Sequence, residues 1–186
     1  INILNPELSE DICGDSVCDG SDDRCIDAIY VNHDKKQVTI VQSKFDQSGN
    51  GSISRQDMAD FLNSCKDILM ESYDLFNERF NRSSSALDIA YDSSYKYVFV
   101  FAYSGRDELS EDVMRLISSK IDEFNFDLGG EFIDIQTFPL AKLKDYLSRR
   151  SLGSINLDDV EIFQYGITEE PLKAIHGLIT GDQIAK

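Results

Sequence analysis

The run Lys96–Tyr103, which reads KYVFVFAY, constrains the fold more than any other stretch of the sequence. Aromatic and β-branched residues favour strands, and consecutive apolar residues place apolar side chains on both faces of a strand. A strand with two apolar faces belongs in the centre of a sheet that is covered on both sides, which is typical of α/β proteins. The sequence therefore predicts an α/β fold with a central sheet flanked by helices.

Shorter strand patterns lie on both sides of this run. Ala28–Asn32 (AIYVN) and 38–44 (VTIVQSK) are rich in β-branched residues and are separated by a polar turn, 33–37, so they predict a β-hairpin. The other predicted strands are 131–138, 160–165 and 173–180.

Helical periodicity fills most of the remaining chain. Apolar residues recur three and four positions apart in the segments 56–80, 113–124 and 140–149. Ser110 is a suitable N-cap for the second helix, Gly129 and Gly130 end it, and residues 83–85 interrupt the first. Residues 1–27 are acidic and predict a loop. Strands that alternate with helices indicate a mixed sheet.

The order of these patterns suggests a core followed by a short extension. We predict a core over 1–150 and a C-terminal part, 151–186, that contains the late strand pair and the start of a helix. Because residues 181–186 resemble the first turn of a helix cut short, we expect the chain to be part of a larger protein that continues into a downstream domain.

The charge balance limits the classes of function. The 186 residues include 18 Lys and Arg against 34 Asp and Glu, a net charge of −16 at pH 7. This charge disfavours a passive nucleic-acid binder, which needs basic residues to displace counterions. The hydrophobic content, 41%, excludes an acidic disordered tail. No apolar stretch is long enough to span a bilayer and no secretory signal is visible, so we predict a cytoplasmic protein.

Three of the four cysteines lie in the acidic N-terminal segment. Cys13, Cys18 and Cys25 are spaced as C-x4-C and C-x6-C, with His33 nearby. These spacings differ from the C-x2-C pattern of a structural zinc site. Reduced thiols and a metal site that uses these four residues are the two alternatives, and the first is favoured.

The predicted hairpin brings polar residues together at one end. Asp27 precedes the first strand, so it lies beside the end of the second strand, where Gln42 and Lys44 share one face and Ser43 points to the other. A carboxylate and a neutral oxygen can hold Mg²⁺, and a lysine can orient water and offset developing charge. This combination suits the hydrolysis of a phosphodiester.

The same residues resemble a known superfamily. Asp27 followed by Gln42-x-Lys44 resembles the core of PD-(D/E)xK nucleases, in the Mrr-type variant where Gln replaces the second acid. The segments 19–30 (DGSDDRCIDAIY) and 41–45 (VQSKF) resemble the abortive-infection phage-resistance (AIPR) family more closely, although that family usually has glycine at the positions of Arg24 and Cys25. The ending, 174–186, resembles the junction with that family's next domain.

This resemblance implies a restriction-endonuclease-like domain in an anti-phage protein of the bacterial cytoplasm, which cleaves DNA, or less readily RNA, with Mg²⁺ or Mn²⁺. It implies catalytic roles for Asp27, Gln42 and Lys44, and metal contacts from Asp27, Gln42 and the Ser43 carbonyl. Asp23 is a further candidate ligand, as is Glu10, or Glu7, in place of the glutamate that an N-terminal helix can supply. Given the charge, we expect the rest of the protein, a partner or a second subunit of a homodimer to provide basic surface, and we expect no membrane partner.

Two observations keep other functions open. Lysine at the end of an edge strand also serves to prevent unwanted strand pairing, so a catalytically silent nuclease-fold domain that binds a partner is one alternative. The basic residues Lys142, Lys144, Arg149 and Arg150 lie on a predicted helix. They suit contact with a nucleic-acid backbone or form a solvated helix face.

The loop from Asp46 to Asp57 resembles a calcium-binding EF-hand loop. Its candidate ligands are Asp46, Ser48, Asn50, Ser52 and Asp57. A predicted strand rather than a helix precedes it, aspartate replaces the usual final glutamate, and no second loop is evident. The alternative is a flexible loop in which Ser54 and Asp57 cap the following helix. Ca²⁺ binding is therefore a secondary hypothesis.

Overall fold

A computed structural model of the chain describes residues 1–49, 51–105, 109–150, 164–168 and 174–178, with backbone alone for Leu147, Arg149, Arg150 and the last two ranges. The chain divides into two compact units, Ile1–Ser148 and Arg149–Lys186. The predicted start of a helix at 181–186 lies outside the described residues.

The first unit is built on a four-stranded mixed sheet. Its strands are β1 (Ala28–Asn32), β2 (Gln37–Lys44), β3 (Lys96–Tyr103) and β4 (Ile133–Pro139), which lie side by side in that order. β1 is antiparallel to β2, whereas β2, β3 and β4 are parallel to one another. The predicted α/β fold with a mixed sheet flanked by helices is confirmed.

Helices connect the parallel strands and precede the hairpin. They are α1 (Glu10–Asp15), α2 (Arg55–Leu69), α3 (Glu78–Asn81), α4 (Ser84–Asp92), α5 (Glu111–Asp127) and α6 (Leu140–Arg150), with a 3₁₀ turn at Tyr73–Leu75. Ser110 caps α5, as predicted, because its side chain accepts a hydrogen bond from the Val113 amide. Within the described residues, no helix combines the length and apolarity needed to cross a membrane.

Both faces of β3 are buried, which explains its uniformly apolar sequence. On one face Phe99 and Phe101 belong to the main core, where the Phe61 ring of α2 meets Phe101 edge to face at 5.5 Å between centroids. On the other face Val98 and Val100 belong to a second apolar cluster. Residues from the N terminus, β4 and α6 also contribute to that cluster: Ile3, Leu4, Phe138 and Leu143.

Two predictions about helices are wrong, and a third is displaced along the chain. The predicted helix 56–80 ends at Leu69, because Glu71 has a φ of 55° and turns the chain into the 3₁₀ turn and α3. The predicted break at 83–85 lies at Arg82 and Ser83 instead, because Ser84 and Ser85 already belong to α4, which buries Leu87 and Ala90. The predicted N-terminal loop contains α1, whose first turn is capped by Ser9.

In the second unit, β5 (Gln164–Thr168) and β6 (Ala174–Leu178) form an antiparallel pair. The predicted late strand pair is therefore confirmed, although β5 continues to Thr168, beyond the predicted end at residue 165. The remaining predicted strand residues, 160–163, 173 and 179–180, lie outside the described part of the chain.

Candidate metal centre at the hairpin end

The register of the hairpin fixes the position of Asp27. Ala28 pairs with Val41, and the Asp27 amide donates to the Val41 carbonyl at 2.8 Å. The Asp27 carboxylate oxygen Oδ2 accepts hydrogen bonds from the Ser43 amide and the Ser43 hydroxyl, both at 2.5 Å, and from Gln42 Nε2 at 3.4 Å. The structure thus brings Asp27, Gln42 and Ser43 together.

The loop before β1 adds two more carboxylates. The Asp27 carbonyl accepts from the amides of Cys18, at 2.9 Å, and Asp19, at 3.1 Å, and so holds the start of the loop against its end. Asp23 Oδ1 accepts from the Cys25 amide at 2.9 Å. Candidate ligand oxygens of Asp19, Asp23 and Asp27 all lie within 4.8 Å of one another. Asp19 was not predicted as a ligand.

This loop uses an unusual backbone conformation. Asp22, Arg24 and Cys25 have φ values of 59°, 51° and 62°, in the left-handed region that glycine adopts most readily. Such residues persist where their surroundings hold them. Arg24 pairs with Asp67 at 2.6 Å, and Arg79 donates to the Asp19 carbonyl at 2.8 Å, so helices α2 and α3 hold the loop in place.

Electrostatics at the three carboxylates favour a bound cation. Burial raises the pKa of Asp27, hydrogen bonds from Ser43 lower it in part, and the charges of Asp19 and Asp23 raise it further. A cation among these groups would offset both the burial and the mutual repulsion. Burial first, then Asp27 and Asp23, also raises the pKa of the Cys18 thiol to about 12, so this thiol is protonated at neutral pH.

Gln42 adds a buried amide to the group. Its side chain is 5% exposed, and Nε2 donates to the Ser43 carbonyl at 2.9 Å. Oε1 is buried and has no hydrogen-bond partner within the described residues, and buried polar atoms are normally paired. Rotation of the amide would place an oxygen beside Asp27 and the Ser43 carbonyl. These hard oxygen ligands fit Mg²⁺ or Mn²⁺.

Lys44 lies at the edge of this group. Its Nζ is 3.3 Å from Asp57 Oδ1 on α2, and both side chains are partly exposed. No ion pair joins Lys44 to Asp27 in the described ranges. Burial raises the pKa of the Cys25 thiol, and Lys44 is the strongest opposing influence, so the lysine charge still acts on the loop that holds Asp23 and Asp27.

A cavity of about 180 Å³ lies beside Lys44, at the carboxyl ends of β2 and β3. Lys44, Phe45, Asp57 and Tyr103 line it, and Phe45 is 86% exposed. Ligands of open α/β sheets commonly bind outside the carboxyl ends of the parallel strands. The cavity therefore provides space for a substrate next to the predicted catalytic lysine.

Two glycines join the loops at this cavity. Gly51, after β2, forms a parallel bridge with Gly105, after β3. A Cβ on Gly51 would lie 2.7 Å from the Asp46 Cβ, and a Cβ on Gly105 would collide with the Gly51 carbonyl oxygen. Glycine at position 105 thus permits the close approach of the two backbones, and glycine at position 51 leaves room for the Asp46 side chain.

The predicted glutamate ligands lie outside the carboxylate group. Glu7 pairs with Lys35 at 2.6 Å, and Lys35 belongs to the hairpin turn at the opposite end of β1 from Asp27. Glu10 lies in the first turn of α1 and is not among the three grouped carboxylates. The group therefore contains the predicted Asp23 but takes Asp19 rather than Glu10.

The loop after β2 lacks the architecture of an EF-hand. β2, a strand, leads into Asp46, whose carboxylate accepts hydrogen bonds from the Ser48 amide, at 2.8 Å, and hydroxyl. Ser52 is exposed in the cavity lining, and Asn50 lies outside the described residues.

Asp57 is already engaged by other groups. It forms the predicted capping box with Ser54 at the start of α2 and pairs with Lys44. The capping interpretation of this loop is therefore confirmed, and the helix that would favour calcium is not present before Asp46.

The predicted basic cluster lies on α6, as expected. Lys142 donates to the Thr137 carbonyl at 3.2 Å and lies 4.1 Å from the centre of the Phe138 ring, whereas Lys144 is exposed. Arg149 and Arg150 occupy the last turn of α6, and the structure describes their backbone alone.

The cysteines and His33 do not form a metal site in the described structure. The Cys18 thiol donates to the Ile26 carbonyl at 3.2 Å, and His33 Nδ1 lies 3.1 Å from the Tyr95 hydroxyl. Cys13 and Cys25 are free thiols. Among the described histidines, cysteines and acids, the aspartate group is the one that clusters closely enough to hold an ion.

Comparisons with known proteins add no relative. No family model matches the chain, and no curated protein or solved structure matches it.

Proposed function

We propose that this domain binds Mg²⁺ or Mn²⁺ and hydrolyses phosphodiesters. The observation that carries the proposal is the convergence of Asp19, Asp23 and Asp27 beside the buried amide of Gln42. Hard oxygen ligands of this kind suit a divalent cation, which when bound supplies Lewis-acid activation of water and of the phosphoryl group.

Each residue at the hairpin end has a role in this proposal. Asp27 is the central ligand, Gln42 and the Ser43 carbonyl supply neutral oxygens, and Ser43 orients the Asp27 carboxylate through its amide and hydroxyl. Lys44 donates hydrogen bonds to the attacking water and the developing charge. Its exposed pair with Asp57 is worth about 1 kcal/mol or less, so exchanging Asp57 for a phosphate costs little.

The resemblance to the AIPR family supports the biological setting. That family usually has glycine where Arg24 and Cys25 stand, and both residues adopt the backbone conformation that glycine favours. We propose an anti-phage nuclease of the bacterial cytoplasm that acts on DNA rather than RNA. Because the net charge is −16, other parts of the protein or a partner supply the basic surface.

The test is metal-dependent cleavage by the longest soluble form of the protein. With Mg²⁺ or Mn²⁺ we expect cleavage of DNA, no cleavage by Asp27→Ala, and a rate lowered about 10²–10³-fold in Lys44→Ala through the loss of one charge-stabilising donor. Asp34→Ala, which removes an exposed carboxylate at the other end of the hairpin, is the matched control.

Cleavage that is unchanged in both Asp27→Ala and Lys44→Ala would contradict the assignment. A catalytically silent, metal-binding domain is the second candidate, favoured by the pairing of Lys44 with Asp57 rather than with the carboxylate group. Asp27-dependent Mg²⁺ binding in calorimetry without cleavage of DNA or RNA would indicate this second function.

A further inference from the structure

A groove lies at the end of the sheet opposite Lys44, where the parallel strands begin. Two adjoining cavities of about 260 Å³ and about 400 Å³ share Tyr91, Asp127 and Leu128. They lie where β3 and β4 begin, so we call them together the amino-edge groove. Its chemically distinctive residues are Tyr91, Tyr95, Tyr97, Phe132, Glu71 and Asp127.

Aromatic side chains form one part of this groove. Tyr95 and Tyr97 are 6% and 4% exposed and present little surface, whereas Tyr91 is 40% exposed and Phe132 is half-buried. The face of an aromatic ring carries negative electrostatic potential and attracts cations within about 6 Å of its centre. The rings that present surface to the groove are therefore those of Tyr91 and Phe132. Such aromatic surface favours a weakly hydrated organic cation over a strongly hydrated metal ion.

The carboxyl ends of three helices meet at the same groove. α2 ends just before Met70 and Glu71, α4 ends at Asp92 next to Tyr91, and α5 ends at Asp127. The carboxyl end of a helix carries partial negative charge. Neither α4 nor α5 has a basic residue in its last turn. Lys66 of α2 also lines the groove, and its ammonium group is paired at 3.1 Å with Glu123, a carboxylate that Lys120 contacts as well.

Two carboxylates strengthen this negative potential. Glu71 and Asp127 are exposed, and neither forms an ion pair within the described ranges of the chain. Burial first, and then Tyr91 and Glu71, raises the pKa of Tyr97 to about 12, so its phenol is neutral at neutral pH. Rings, helix ends and carboxylates therefore favour a cationic ligand, and the paired Lys66 is the described lining residue whose charge opposes it.

We propose that the amino-edge groove binds an organic cation with a quaternary ammonium or guanidinium headgroup. The rings contact the apolar surface of the headgroup, and Asp127 and Glu71 balance its charge. This binding is independent of the proposed nuclease chemistry, because the groove and the carboxylate group at the hairpin end share no residue.

Choline and its neutral isostere 3,3-dimethylbutan-1-ol provide the test, with agmatine as the guanidinium probe. Binding is followed by chemical-shift changes of backbone amides at constant ionic strength in the presence of EDTA. We expect choline or agmatine to shift the amides of residues 91, 95, 97 and 127, and the neutral alcohol to bind at least about ten-fold more weakly. Tyr91→Ala and Asp127→Asn should each weaken cation binding by about 2–30-fold.

Matched controls separate the groove from general surface charge. Asp122→Asn removes an exposed carboxylate from the same helix, and Phe126→Ala removes an aromatic ring that is 85% exposed. Neither residue lines the groove, so both variants should bind choline as the unmodified chain does. Equal binding of choline and the neutral alcohol, or unchanged binding in both groove variants, would overturn the proposal, as would the absence of shifts with either cation.

Discussion

Asp27 is held in place by hydrogen bonds and at the same time destabilised by its charge. Ser43 donates to it twice, yet burial and the neighbouring Asp19 and Asp23 raise its pKa above that of a free aspartate. Because the folded protein holds this proton more tightly than the unfolded chain, stability falls as the pH rises through the interval between the two pKa values. The carboxylate is thus suited to a ligand rather than to structural support.

Asp27→Asn should therefore stabilise the metal-free protein. The amide keeps an oxygen that accepts from Ser43 and loses the repelled charge, so we expect an increase in the free energy of unfolding of about 1 kcal/mol or less, because the half-exposed position is screened by solvent. Urea unfolding in EDTA measures this effect. The difference should grow from acidic pH towards neutral pH and then stay constant.

Asp34→Asn provides the comparison for this experiment. Asp34 is an exposed carboxylate of the hairpin turn, and its replacement should change the free energy of unfolding by less than about 0.5 kcal/mol. A destabilised Asp27→Asn protein would mean that the hydrogen bonds of the carboxylate outweigh its repulsion.

Strand alternation and hairpin register were sufficient to place Asp27 beside Gln42. They put Ser43 on the opposite face, whereas its hydroxyl donates a hydrogen bond to Asp27. They could not predict Asp19, because its position depends on a loop whose left-handed residues follow no periodic pattern. Strand alternation and hairpin register also could not predict the ion-pair partner of Lys44. Asp57 comes from the next helix, and the approach of that helix to the end of β2 is set by tertiary packing.

At the level of secondary structure, the start of α2 links stability to the candidate site. Ser54 Oγ accepts from the Asp57 amide at 3.0 Å, and the Asp57 carboxylate both caps the helix and pairs with Lys44. Loss of an N-cap serine typically costs about 0.5–2 kcal/mol. The helix buries Phe61 and Leu62 in the core, so its first turn also anchors one wall of the cavity.

We expect Ser54→Ala to lower the free energy of unfolding by about 1 kcal/mol through the lost cap. Ser52→Ala, in the exposed loop just before, should change it by less than about 0.5 kcal/mol. Denaturant titration of both variants checks the difference. Equal stability of the two variants would show that the cap contributes nothing measurable.

The strands were predicted more accurately than the helices. β1 and β3 have the predicted bounds, because alternation and continuous apolarity are local signals. The end of α2 was not predicted because apolar residues continue at helical spacing through Phe76 and Phe80. In addition, Glu71 turns the backbone although it is neither glycine nor proline, the residues that usually indicate a helix end. α4 was missed because its serines were interpreted as a break.

At the level of the whole molecule, the net charge of −16 acts on stability as well as on partners. Repulsion between like charges destabilises a compact acidic protein. At 0.1 M ionic strength, salt largely screens this repulsion between exposed charges that are more than about 10 Å apart. The three clustered aspartates concentrate that repulsion at one place, where a divalent ion binds specifically instead of screening generally.

Mg²⁺ should therefore stabilise the protein more than NaCl does at equal ionic strength. At about 100 times the Kd of the ion, binding to the folded state adds about 2.7 kcal/mol to the free energy of unfolding. Thermal unfolding should show this extra gain in the unmodified chain and lose it in Asp27→Ala, while both proteins keep the general gain from NaCl. Equal responses to the two salts would argue against a specific site.

The contact between Gly51 and Gly105 has a consequence for access to the cavity. Because Gly51 and Gly105 meet backbone to backbone, neither residue can move away from the other without breaking the bridge between them. The two sides of the cavity beside Lys44 are therefore coupled through this bridge. A bulky substrate must either fit the existing opening or break the contact between Gly51 and Gly105.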